Sequence, residues 1–125
     1  MTVVVDTSVL IDVLGGVPDA ARVLRESREA GPLHSSEIVK LEVLAGMRSS
    51  EEAATRVLLG ALAWHPVDEE VAEIAGELGR KWLPRNRGID SADLAIAATA
   101  IALDARPLTR NVKHFPMFAD LSAPY

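Results

Sequence analysis

Polar and apolar positions along this chain fall into short blocks that switch between a strand period and a helix period. Val3-Val4-Val5 has no polar position inside it, which predicts a strand buried on both faces, of the kind found in the middle of a parallel sheet. The run ends on Asp6 and passes at once into helical spacing. Thr7 or Ser8 is expected to cap a short helix through Leu14, closed by Gly15-Gly16. Pro18 suits the first turn of a second helix, in which Ala20, Val23 and Leu24 lie opposite Arg22, Arg25 and Glu29 until Gly31-Pro32 stops it. Leu33-His34-Ser35 is a short second strand. Ser35 or Ser36 then starts a helix to about Arg48, and Ser49-Ser50 starts another that ends near Leu62.

Residues 63–67 read as a third strand, edge-like because Pro66 cannot donate to a ladder. Asp68 followed by Glu69 and Glu70 opens a helix with acids on the positive end of its dipole. That helix carries Val71, Ile74, Ala75, Leu78 and Trp82 at helical spacing and stops at Pro84. A basic loop, Arg85-Asn86-Arg87-Gly88, leads to Asp90 and an almost wholly apolar helix to Leu103. Pro107-Leu108-Thr109 is a fourth strand, and a last one is expected near residues 117–121. Strands alternating with helices predict a three-layer α/β/α sandwich around a mainly parallel central sheet. Residues 1–125 are read as a single domain, with no repeat and no linker.

Composition narrows the chemistry. There is no Cys, which excludes a disulfide framework, a thiolate metal site and a thiol nucleophile. The longest apolar run, residues 94–103, is interrupted by Thr99 and too short to cross a bilayer, so a cytoplasmic protein without membrane association is expected. A formal charge of −5 argues against a surface attractive to nucleic acid all over. It leaves room for a local basic path, because Arg80, Lys81, Arg85, Arg87, Arg106, Arg110 and Lys113 cluster late in the chain. A solvated surface is the plainer reading of that cluster.

The acids are more informative. Asp6 follows a central strand, at the carboxyl end where open α/β sheets place their ligands. On a helix turning about 100° per residue, Glu42 projects among Ile38, Val39 and Ala45, within the apolar face, with Lys40 and Met47 on the far side. A carboxylate there is costly unless it is paired with an Arg or bound to a cation. Asp93 lies in the first turn of the apolar helix, whose amino end must open onto a sheet edge or a cleft for an acid to be kept there. Asp90, three residues earlier, resembles a capping-box partner and is read as a cap before a ligand. Asp6, Glu42 and Asp93 together suit a hard cation such as Mg²⁺ or Mn²⁺, which takes one or two carboxylates plus water and phosphate oxygens. Such a site suits phosphodiester hydrolysis. His34, His65 and His114 lack the paired spacing of a zinc site.

Four segments, in order, carry a resemblance to PIN-domain proteins, specifically the VapC-type toxins of toxin-antitoxin pairs. They are Val4-Val5-Asp6-Thr7-Ser8, Leu41-Glu42-Val43-Leu44-Ala45-Gly46, residues 93–100 beginning Asp93-Leu94-Ala95, and Thr109-Arg110-Asn111-Val112-Lys113-His114-Phe115. The resemblance implies an endoribonuclease dependent on Mg²⁺ or Mn²⁺, the ion held by Asp6 and Asp93. Glu42 would complete the acidic cluster, with Ser8, Thr7, Thr109 and Asn111 in support. Many relatives carry a fourth acid where this chain has Asn111, which leaves the number of metals open and gives Asp90 a compensating role. Similar proteins form homodimers and are silenced by a small VapB-type antitoxin that pushes a basic side chain towards the acidic pocket.

Ala95, Ala98 and Ala102 form a small-residue stripe that fits either a dimer contact or the sheet. Arg80, Lys81, Arg85 and Arg87 could lead RNA phosphates to the metal, with Arg48, Arg110 and Lys113 extending the path. Two readings compete: a catalytically silent PIN-fold binding module, kept open by Asn111, and a phosphoryl-accepting receiver domain. The receiver domain is disfavoured because the acids after Asp6 fall within helices.

Overall fold

The computed structural model describes residues 1–125. In chain order the elements are β1 (Val3–Val5), α1 (Thr7–Leu14), α2 (Pro18–Ala30), β2 (Leu33–Ser36), α3 (Glu37–Ala45), α4 (Glu52–Leu59), β3 (Ala63–His65), α5 (Glu69–Trp82), α6 (Ser91–Ala102) and β4 (Arg106–Leu108). Short 3₁₀ turns occupy Ser49–Glu51, Leu83–Arg85 and Val112–His114. The four strands form one sheet in the order β3-β2-β1-β4, every pair parallel. Six helices flank it, giving the α/β sandwich expected.

β1 is interior, which accounts for three consecutive valines: Val4 and Val5 are fully buried between neighbours on both sides. The chain lays down β1, β2 and β3 in one direction, then returns to place β4 on the other side of β1. The strand order therefore reverses between β1 and β4, and open parallel sheets bind ligands at such a reversal, outside the carboxyl ends of the strands. Val3, Val4 and Val5 register with Arg106, Pro107 and Leu108, and the amide of Asp6 continues the ladder to the Leu108 carbonyl at 2.9 Å. Asp6 and Thr109 thus leave the sheet side by side. β3 is an edge strand, and Pro66 falls just beyond its ladder, where a missing N–H costs nothing.

α6 is the central helix. Eight consecutive residues, Asp93 to Ala100, are buried, and the helix meets α5, α3 and strands β1, β2 and β4. Ala95 and Ala98 are buried within the chain itself and only Ala102 is exposed, so the alanine stripe serves internal packing. Phe115 is the largest fully buried side chain and fastens the segment after β4 into the core. Burying a phenyl group of this kind stabilises a fold by about 2–3 kcal/mol.

Three local expectations change. The helix of Glu42 ends at Ala45 on a Gly46 cap rather than near Arg48. The one expected over residues 49–62 is a 3₁₀ turn followed by α4, ending at Leu59 before Gly60. No strand forms near Met117. Pro116 removes a ladder donor and Asp120 takes a left-handed conformation with φ 59°, so the segment turns while Met117, Phe118 and Leu121 pack on the core.

Candidate active site

Asp6 occupies the N-cap position of α1 but makes no capping bond, which leaves its carboxylate free to face outward from the sheet. Thr7 and Ser8, expected as caps, fall instead inside the first turn, and their hydroxyls serve the acids. Ser8 Oγ donates to Asp6 Oδ2 at 3.1 Å, and Thr7 Oγ1 donates to Glu42 Oε1 at 2.6 Å. From the end of β4, Thr109 Oγ1 donates to the same Asp6 oxygen at 2.6 Å and accepts from the Asn111 amide at 2.9 Å. Asp6 is 4% and Thr109 1% exposed, so this is a buried, charge-assisted bond that fixes one carboxylate oxygen and leaves Oδ1 for another partner.

Glu42 stands at the border of the buried face of α3 rather than inside it, because the helix is turned to bury Val39 and Val43. Its partner is a hydroxyl and not the Arg that the plainer reading called for. Across the cleft, Asp90 and Asp93 form a complete capping box: Asp90 Oδ1 accepts from the Asp93 amide at 2.8 Å, and Asp93 Oδ2 accepts from the Asp90 amide at 3.1 Å. Burial pushes the Asp93 carboxyl up to about 6; the Asp90 amide pulls it down, the Asp90 charge adds to the rise, and His114 opposes it.

His114 is the residue that spacing along the chain missed. Its Nδ1 lies 3.1 Å from Asp93 Oδ2, although twenty other residues separate the two in sequence and no local pattern links them. Asp12 was also missed; it holds Arg110 Nη1 at 2.9 Å and accepts from the Tyr125 hydroxyl at 2.7 Å. A third unforeseen pair lies elsewhere, where parallel pairing of β2 with β3 sets His34 Nδ1 2.9 Å from His65 Nε2. Burial, and then the neighbouring His34, lower the pKa of His65.

Asp6, Thr7, Ser8, Asp12, Glu42, Asp90, Asp93, Arg110, Asn111 and His114 line one cleft of about 350 Å³, with Ile11 as its only apolar wall. Five carboxylates thus face one guanidinium and one imidazole. No three acidic or histidine side chains converge closely enough to enclose an ion. An ion held here would therefore take one or two of these carboxylates and complete its shell with water, a mode of binding that Mg²⁺ accepts. Oxygen donors without thiolates are the chemistry such an ion prefers. Asn111 stands at the cleft and brings no charge. Of the basic residues, only Arg110 reaches the cleft; Arg48, Arg80, Lys81, Arg85, Arg87 and Lys113 are exposed outside it.

Residues 3–120 match the PIN domain family. The chain is 48% identical over 122 residues to Ribonuclease VapC19 of Mycobacterium tuberculosis, covering 97% of this chain and 98% of that protein. It is 37% identical over 123 residues to Ribonuclease VapC10 of the same species, covering 98% and 92%. A toxin-antitoxin complex from Klebsiella pneumoniae contains a chain that superposes with a TM-score of 0.81 at 27% identity, covering 100% of this chain and 98% of that one. Carboxylates gathered at the strand-order reversal of a parallel sheet, together with relatives that match nearly end to end, establish that this chain belongs to the PIN-domain family, among the VapC ribonucleases.

Proposed function

We propose that this chain, acting as one domain over residues 1–125, is a Mg²⁺-dependent endoribonuclease, with Mn²⁺ able to substitute, and the toxin of a toxin-antitoxin pair. One observation carries the reading: Asp6, Glu42 and Asp93, separated by dozens of residues in sequence, line a single cleft. Asp6 and Asp93 would hold the ion from opposite walls, with Glu42 and Asp90 completing the negative field. When bound, the ion supplies a water of lowered pKa, screens the phosphate and stabilises the leaving oxygen.

The chain's own side chains do the positioning. Ser8 and Thr109 hold the Asp6 carboxylate in one orientation, and Thr7 holds Glu42. The Asp90 amide and His114 hold Asp93, and Asn111 offers an amide side chain at the same opening. Arg110 is the one Lys or Arg side chain that lines the cleft, placed to meet a phosphate of the RNA. Arg48, Arg80, Lys81, Arg85, Arg87 and Lys113 are each exposed outside the cleft and are the proposed contacts for the rest of the strand. An acidic cleft with one guanidinium also suits capture of a basic side chain from a VapB-type antitoxin, and the protein is expected to act as a homodimer. No helix is long and apolar enough to cross a membrane, and the proposed place of action is the cytoplasm.

The test is cleavage of structured RNAs by purified, antitoxin-free protein in Mg²⁺, Mn²⁺ or EDTA, beside Asp6→Asn and Asp93→Asn. Cleavage is expected in either metal and in neither EDTA nor the variants. Cleavage that survives EDTA or either substitution overturns the assignment.

A further inference from the structure

Arg110 at the rim of the cleft is held by two residues far from it in sequence, and one of them lies in the irregular segment 116–125, to which the proposed chemistry gives no task. Asp12 Oδ2 accepts from Arg110 Nη1 at 2.9 Å and from the Tyr125 hydroxyl at 2.7 Å, so one carboxylate oxygen joins both donors. The Arg110 guanidinium also lies over the Tyr125 ring, 5.7 Å from its centroid, within the range of a cation–π contact. Behind it, the Arg110 amide donates to Ser8 Oγ at 3.2 Å, the hydroxyl that serves Asp6. Backbone, guanidinium edge and guanidinium face are therefore each held, yet the side chain remains 52% exposed.

An exposed arginine ordinarily loses rotamer entropy when it grips a phosphate. Here much of that loss occurs on folding. Asp12 engages Nη1, and the other N–H groups of the fork are left for an incoming anion. The carboxyl of Asp12 is held below the usual range by the Tyr125 hydroxyl and then by Arg110, and burial with Asp12 alongside pushes the Tyr125 hydroxyl well up, so the bridge keeps its donor and acceptor at neutral pH.

We propose that Tyr125, acting through Asp12, is a positioning residue that presents the Arg110 guanidinium to an RNA phosphate at the mouth of the acidic cleft. This rests on the endoribonuclease reading above. Tyr125 touches neither the acids of Asp6, Glu42 and Asp93 nor the expected metal; its effect passes through Arg110, and it bears on substrate binding rather than on the bond-breaking step.

Two variants grade the effect. Tyr125→Phe keeps the ring over Arg110 and removes the hydroxyl; Tyr125→Leu removes both. Binding of a fluorescein-labelled single-stranded RNA 20-mer is measured by anisotropy in EDTA across a NaCl series, and cleavage kinetics are measured separately in Mg²⁺. If Arg110 no longer engages its phosphate, the slope of log K against log[NaCl] is expected to fall by up to about 0.7, and low-salt affinity by roughly 3- to 10-fold, more for Leu than for Phe. KM is expected to rise by the same factor with kcat within about 2-fold, as uniform binding requires. In an Arg110→Ala background neither substitution adds a further loss. A wild-type slope in both variants overturns the proposal, as does an equal loss with and without Arg110. If the wild type shows no salt-dependent RNA binding and no metal-dependent cleavage, the nuclease reading falls and takes this one with it. Wild-type binding and cleavage matched by both variants sinks the positioning role alone.

Discussion

The two walls of the cleft each present a carboxylate, and they hold it by opposite means. On the β1 side, Asp6 is fixed by hydroxyls, and the shorter of its two bonds comes from Thr109, brought in only because β4 pairs with β1. On the α6 side, Asp93 is fixed mostly by its own neighbourhood, through a capping box with Asp90 three residues away. The first wall depends on the whole sheet being assembled, and the second forms with a single helix turn. Both acids are buried, and on the α6 side burial raises the pKa of Asp93, with the Asp90 charge adding to the rise. Chemistry that needs ionised oxygens is therefore in tension with stability on the α6 side.

Replacing either acid with Asn is the largest expected perturbation and also separates the walls. Each variant should lose roughly 100-fold or more in kcat, since it removes charge from the proposed ion site. Their stabilities should diverge. The ordinary value for Asp93 is 3.8 and the folded value about 6, so the folded chain holds this proton more tightly than the unfolded one. Its contribution favours folding below about pH 4 and is lost as pH rises through about 6. Asp93→Asn should then be more stable than wild type at pH 7 in EDTA, by about 1 kcal/mol once solvent screening of this partly exposed carboxyl is counted, a gain that vanishes near pH 4. Asp6→Asn, which keeps an acceptor for Thr109, should show no such gain. Urea unfolding at the two pH values checks both, and equal stabilities for Asp93→Asn and wild type at pH 7 would remove the contrast.

Thr109→Val tests the tertiary wall alone. It keeps shape and deletes a buried hydroxyl bonded to a carboxylate, which should cost about 2 kcal/mol in denaturant unfolding and lower kcat with it. Unchanged kcat would mean that Asp6 needs no such support. Asp90→Ala tests the local wall and should cost about 1 kcal/mol, the usual worth of an N-cap. Asp90→Ser should restore most of that stability, because a hydroxyl also caps. If Ser restores stability but not cleavage, the Asp90 charge serves the site as well as the helix.

Much of the fold was legible in order because its signals are local. Three valines without a polar position marked the interior strand, Pro66 marked the edge, and the acids from Asp68 to Glu70 marked the start of α5. Asp90 read as a cap and is one. Thr7 and Ser8 were read both as caps and as supports of the acids, because their side chains can do either, and the position of Asp6 and Glu42 decides for support. The expected strand near Met117 failed because apolar residues there pack on the core without a ladder.

By itself the sequence determined most of the strands and helices, though not the segment near Met117, and which acids sit where an acid needs a reason, since periodicity, capping and the cost of burying charge act over a few residues. The tertiary structure alone decided that His114 meets Asp93, that Asp12 and Tyr125 hold Arg110, and that the other basic residues stand away from the cleft. Those contacts follow from the return of β4 to the side of β1 and the burial of Phe115 after it. Strand order and core packing are properties of the whole chain, so no window of sequence contains them.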